Sequence, residues 1–145
     1  MIPLIIFTLF LTFFIIFFFY YLLANWTGAP FLPTPMKIVS EMIGLADVKQ
    51  GDTIADLGSG DGRILLAGAR NGAKATGWEI NPVLCWLTKI NVFYSGLTER
   101  VIIHCGNYRN AKLNRINKLF LFSISDKITP IENLIIRDMK KGSLV

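Results

Sequence analysis

Between Thr53 and Gly62 a short apolar stretch runs directly into Asp56-Leu57-Gly58-Ser59-Gly60-Asp61-Gly62, and no other feature of the 145-residue chain narrows its fold as far. Three glycines in five positions meet one physical demand. The chain must turn tightly from a strand into a helix, with the backbone close enough to a ligand that a Cβ would collide. Amide groups at the start of the following helix are left to face that ligand, which is the geometry of a nucleoside-binding turn.

Several nucleotide-binding folds share such a turn, and spacing separates them. A dinucleotide fingerprint reads GxGxxG and holds a pyrophosphate. Here Gly58, Gly60 and Gly62 read GxGxG, with Asp61 inside the turn. A carboxylate there repels a pyrophosphate and attracts an ammonium, although Asp61 can equally pair with Arg63 on the first helical turn. A Walker phosphate loop would need GxxxxGK followed by Ser or Thr, and a calcium loop would need oxygen ligands at alternate positions closed by Glu; neither is present. Glu79, 17 residues after Gly62, ends a second strand-like stretch, where a carboxylate can accept hydrogen bonds from both hydroxyls of a ribose.

Strand and helix signals alternate along the chain. Thr34 and Pro35 suit the cap and first turn of a helix carrying Val39, Met42, Ile43 and Ala46 on one face. Strands are expected at 53–57, 75–79, 100–104 and 119–124. Between them lie a helix through Ile64, Leu65 and Ala69 ending near Gly72, and another from Asn81 as cap and Pro82 as first residue to Gly96. Thr129-Pro130-Ile131-Glu132 reads as the capping box of a last helix. Such alternation implies an α/β fold: a parallel sheet with right-handed crossovers, helices on both faces, and a ligand crevice beyond the carboxyl ends of the strands.

With these residues in place, the chain resembles the class I S-adenosylmethionine-dependent methyltransferases over about residues 34–145. Their first motif is similar to Asp56–Gly62, and their second acidic position matches Glu79. Their third motif follows the third strand, where this chain has Gly106-Asn107-Tyr108; Asn107 replaces the usual acid and can still accept a hydrogen bond from an adenine amino group. The resemblance implies S-adenosylmethionine as cofactor, held by Asp56, Gly58, Ser59, Gly60, Asp61, Gly62, Glu79, Ile80, Asn107 and Tyr108. Pro33-Thr34-Pro35, Asp56 to Ile64 and Gly77-Trp78-Glu79-Ile80-Asn81-Pro82 narrow it to a subgroup. They resemble the membrane-anchored protein-lysine methyltransferases related to those that modify the ATP synthase c subunit and the adenine nucleotide carrier.

That resemblance implies direct in-line displacement of a sulfonium methyl by a neutral lysine amine. A lysine near pKa 10.4 must first lose its proton, so its site should be apolar or positively charged, or offer a base. Ser123, Ser125 and Asp126 stand at and just beyond the end of the fourth strand, but none is assigned a catalytic role.

The charge distribution adds a second theme. All 15 Lys and Arg and all 10 Asp and Glu lie after Met36, for a net charge of +5. From Ile2 to Ala24 only Pro3, Thr8 and Thr12 interrupt a run of Ile, Leu, Phe and Tyr, long enough on paper to exceed the roughly 30 Å of bilayer hydrocarbon. Tyr20, Tyr21 and Trp26 collect at the end nearest the charges. The expectation is therefore a transmembrane anchor at 1–26, a Pro-rich juxtamembrane linker at 27–35 and a methyltransferase domain at 36–145. The positive-inside rule would make the chain a single-pass membrane protein with its catalytic domain on the cytoplasmic side. Its partners would be the membrane and a protein substrate with an accessible lysine near it. Arg109, Lys112, Arg115 and Lys118 would form a basic strip if helical, resting on anionic lipid or simply solvated.

Other chemistries lose support. Cys85 and Cys105 lie 20 residues apart without a CxxC pattern and read as buried small hydrophobes, with neither a disulfide nor zinc expected. His104 is the only histidine, so no metal cluster and no Ser-His-Asp arrangement can be assembled. No aromatic and basic interleaving points to nucleic acid. Nicotinamide-dependent oxidoreduction has only the βαβ outline in its favour.

Folds carrying this motif continue through three more strands. The sequence therefore reads as a domain truncated after about four strands, with Gly142–Val145 opening a fifth. Two functions follow: a membrane-anchored S-adenosylmethionine-dependent lysine methyltransferase, or a non-catalytic cofactor-binding module or membrane-tethered interaction protein.

Overall fold

The structure, a computed structural model, describes residues 2–27, 31–121 and 128–145. It divides into two compact units, 1–32 and 33–145. The first contains α1 (Ile2–Thr27). Its apolar side chains stand exposed from Leu4 to Phe19. Thr8 donates to the Ile5 carbonyl at 2.8 Å and Thr12 to the Thr8 carbonyl at 2.8 Å, so both hydroxyls are satisfied within the helix.

Among the described residues no helix is long and apolar enough to cross a membrane. This overturns the expected transmembrane anchor, and with it the single-pass assignment, the membrane partner and the cytoplasmic placement that rested on it.

The second unit is the α/β domain, built from α2 (Met36–Leu45), β1 (Thr53–Leu57), α3 (Arg63–Arg70), β2 (Lys74–Glu79), α4 (Pro82–Tyr94), β3 (Val101–Cys105), a 3-10 turn (Tyr108–Asn110), β4 (Lys118–Leu121) and α5 (Ile128–Asp138). The four strands form one parallel sheet in the order β3-β2-β1-β4. Leu144 adds a parallel bridge to Lys118 on the outer side of β4. One face buries Ile54, Ala75 and Val101 against Val39 and Ile43 of α2, Leu65 and Ala69 of α3 and Val92 of α4. The other buries Ala55, Leu57, Trp78 and Leu119 against Ile131 and Leu134 of α5. Helices on both faces leave the carboxyl ends of the strands as the open rim.

At the opposite end Asp52 ties β1 to β4. Its carboxylate accepts from the Lys49 amide at 2.9 Å, Asn117 Nδ2 at 2.8 Å and Lys118 Nζ at 2.6 Å. Burial would raise its pKa, but Lys118, with the Lys49 amide and Asn117, outweighs burial and holds it below the usual value.

Four local expectations are corrected. Helix α2 is capped by Pro35 rather than Thr34, with no side-chain cap bond. Helix α5 begins at Ile128, so Thr129 falls inside its first turn and not at a capping-box N-cap. The basic strip does not form, because residues 111–117 are not helical and Lys118 turns inward to Asp52. Cys85 and Cys105 form a disulfide with Cα atoms 5.7 Å apart, since the crossover through α4 returns the parallel strand β3 alongside that helix.

Candidate functional site

The glycine turn lies at the carboxyl end of β1, level with the end of β2. Gly58, Gly60 and Gly62 have φ of +91°, +57° and +80°, the left-handed region that side chains avoid. At Gly58 the direction a Cβ would take is open space, which leaves room for a ligand against bare backbone. At Gly62 a Cβ would meet Thr88 Cγ2 at 2.5 Å. Glycine there lets α4 pack under the turn.

Glu79 is buried and its two oxygens bracket the rim. Oε2 accepts from the Gly60 amide at 2.8 Å and Oε1 from the Asn81 amide at 2.7 Å. One carboxylate thus joins the turn after β1 to the cap of α4, where Asn81 Oδ1 accepts from the Val83 and Leu84 amides. Each carboxylate oxygen keeps a further acceptor site for a ligand hydroxyl. The amides of Gly58 and Ser59 donate to the Trp78 carbonyl and that of Gly62 to the Ser59 carbonyl. Most of the turn's donors therefore hold its shape.

Asp56 is buried four residues along the chain from Asp52, and no donor among the described residues reaches its carboxylate. Burial, followed by the nearby Glu79 and Asp61 carboxylates, pushes its pKa up to about 7. A cation arriving at the rim would reverse that bias and favour the ionised form.

Asp61 pairs with Arg63, through Nε at 2.8 Å and Nη2 at 2.6 Å. Burial works to raise the Asp61 pKa, yet the guanidinium bonds and charge prevail and hold it low. Arg63 also donates to the Thr34 carbonyl. Of the other expected residues, Ser59 is buried with its hydroxyl unpartnered among the described residues, and Ile80 stands exposed beside Glu79. Asn107 and Tyr108 follow β3, whose last residue pairs with Glu79, and the Gly106 amide donates to the Glu79 carbonyl at 2.8 Å. Asn107 Oδ1 accepts from the Arg109 amide at 2.9 Å, capping the 3-10 turn. Ser123, Ser125 and Asp126 lie outside the described residues.

Two supports of the turn escape a reading of the motif alone. Thr88, fully buried, donates its hydroxyl to the Gly60 carbonyl at 2.9 Å. Asn91 Nδ2 donates to the Asp61 carbonyl at 3.1 Å. The available signal was two polar residues three apart, facing the same way, on a helix whose one charged residue is Lys89.

The profile of the ANTKMT methyltransferase domain matches residues 56–145, starting on Asp56 itself. The chain belongs to that methyltransferase family. S-adenosylmethionine is its cofactor. Among curated relatives, a protein-lysine N-methyltransferase of Saccharolobus islandicus is 32% identical over 118 residues, covering 80% of this chain and 73% of its own. The human lysine N-methyltransferase of the ATP synthase c subunit is 24% identical over 116 residues, covering 80% of this chain and 49% of its own. The chain thus spans about half the length of that relative. A solved RNA methyltransferase from Salinibacter ruber, in complex with S-adenosyl-L-homocysteine, superposes with a TM-score of 0.75 at 31% identity, over 77% of this chain and 74% of that one.

Proposed function

We propose that residues 33–145 are the cofactor-binding core of an S-adenosylmethionine-dependent methyltransferase whose acceptor is a protein lysine. The observation that carries this reading is the buried Glu79 carboxylate, hydrogen-bonded across the rim to the glycine turn at 2.8 Å and backed by open space at Gly58. That cradle fits a nucleoside: Glu79 holds the ribose hydroxyls, Ile80 covers the base, and Asn107 and Tyr108 border its far edge. Gly58 lets the ligand lie against backbone. Asp56 supplies a carboxylate that a cationic ligand would ionise, while Asp61, committed to Arg63, shapes the turn.

When bound, S-adenosylmethionine supplies a methyl group on a sulfonium, which a neutral amine takes in one in-line displacement. No covalent enzyme intermediate is required, so the protein's part is to align the acceptor, exclude water and let the amine lose its proton. No described side chain is assigned as the base.

The lysine acceptor is favoured by the names of the Saccharolobus and human relatives. The Salinibacter likeness supports a second reading with an RNA acceptor. One experiment separates them: the full chain is incubated with methyl-tritiated cofactor and a cell extract, treated in parallel with protease or ribonuclease. Label lost to protease and recovered as methyllysine is expected. Label lost to ribonuclease would replace lysine by RNA, and cofactor binding without label would mark a non-catalytic binding module.

A further inference from the structure

Helix α4 is apolar on the wrong side. Its inner face, Cys85, Thr88 and Val92, is buried against the domain. The opposite face carries Val83, Trp86, Leu87, Ile90, Phe93 and Tyr94, which at about 100° per residue fill a continuous sector of roughly 120°. Trp86 is 65% exposed, Phe93 70% and Tyr94 83%. Lys89 is the only charged side chain between Pro82 and Tyr94, at the border of the sector. A surface helix normally turns polar residues outward, and one that is apolar all round is normally covered.

The neighbouring strand has the same character. Among the described residues β3 is an end strand of the sheet, paired with β2 alone, and Ile102 on it is 58% exposed. The Cys85–Cys105 disulfide joins α4 to the end of β3, so helix and edge form one covalently tied platform. Preorganised surfaces lose less entropy on association.

Scaling exposed fractions by the 150–250 Å² that a large aromatic can bury gives roughly 700 Å² of apolar surface on α4 and Ile102. A standard interface buries about 800 Å² per partner and places aromatics, with few charges, at its centre. An apolar stripe without charge complements itself, which is what a two-fold interface requires. We propose that the outer face of α4, with the free edge of β3, is an isologous interface that pairs this chain with a second copy of itself.

The test uses the full chain in mild detergent, with the photo-crosslinking residue p-benzoylphenylalanine in place of Trp86 and a mixture of isotopically light and heavy chains. Expected are a dimer by sedimentation and light–heavy cross-links joining residues 83–102 of two copies. Trp86→Lys with Phe93→Lys should weaken dimerisation at least 100-fold while leaving the circular dichroism spectrum of the folded chain unchanged, because both side chains are exposed in the monomer; the unfolding midpoint should fall only by what the lost association contributed. A monomeric wild type, cross-links from position 86 to residues 2–27 or to another protein, or a double variant that folds and still dimerises would each overturn the proposal. If the double variant fails to fold, the cross-link map alone decides.

Discussion

Two aspartates mark the two ends of β1, and they live in opposite worlds. Asp52, before the strand, is saturated by an amide, an amide side chain and a lysine, and its pKa is lowered. Asp56, near the end of the strand, meets no donor among the described residues and only other carboxylates, and its pKa rises to about 7. The contrast divides the domain into a closed end that holds β1 to β4 and an open end where buried carboxylates crowd together and Asp56 meets no donor among the described residues. A carboxylate left unsatisfied at a rim is poised for a ligand; one satisfied at the base is part of the scaffold.

Breaking the closed end should have the largest effect. Asp52→Ala leaves the Lys118 ammonium partly buried without its carboxylate and should cost about 3 kcal/mol of stability, read by urea denaturation, with cofactor affinity of the folded fraction unchanged. A stability loss under about 1 kcal/mol would remove the distinction between the two ends. At the open end Glu79→Ala should reverse the pattern: S-adenosylmethionine affinity by calorimetry falls about 100-fold, near 2.7 kcal/mol, with a smaller stability change. Unaltered affinity would dismiss the ribose assignment.

The two aspartates also carry opposite pH signatures. Lowered Asp52 contributes stability that is present above the ordinary carboxylate range and lost as pH falls through it. Raised Asp56 does the reverse: between the ordinary value of 3.8 and about 7 the native state keeps a proton that the unfolded chain has released. Its contribution to stability therefore falls as pH rises, by up to about 1.4 kcal/mol per pH unit, and levels above 7. The difference between wild type and Asp56→Asn, measured by denaturation without cofactor from about pH 5 to 8, should show that slope; parallel profiles would mean that Asp56 ionises normally. The smallest effect should come from Thr88→Val, which keeps the shape but strands the Gly60 carbonyl. It should cost about 1 kcal/mol in stability and weaken cofactor binding several-fold, whereas a neutral result would reduce Thr88 to packing.

Elements set by local chemistry were legible in advance. β1 occupies the expected residues 53–57, and Asn81 and Pro82 serve as cap and first residue of α4 because their side-chain bonding and fixed φ act within one turn. The glycine turn and Glu79 were placed together because a parallel sheet brings consecutive strand ends side by side. Thr88 and Asn91 were not legible, since a polar residue in a helix gains its partner only when the helix docks. The disulfide was missed for the same reason: a separation of 20 residues carries no distance until the crossover is drawn. The apolar amino-terminal run was read correctly as helix, yet the step from hydropathy to a membrane span failed among the described residues.

The Cys85–Cys105 bond has one more consequence. With α4 and β3 as its two arcs, the segment from 85 to 105 is a covalent ring, sealed beside the Glu79 carbonyl by the Gly106 amide. A protease cutting the exposed turn at Gly96–Glu99 would open that ring without releasing either piece. A nicked chain would run intact until reduced, keeping the glycine turn that precedes the ring and the Asn107–Tyr108 loop that follows it on one molecule.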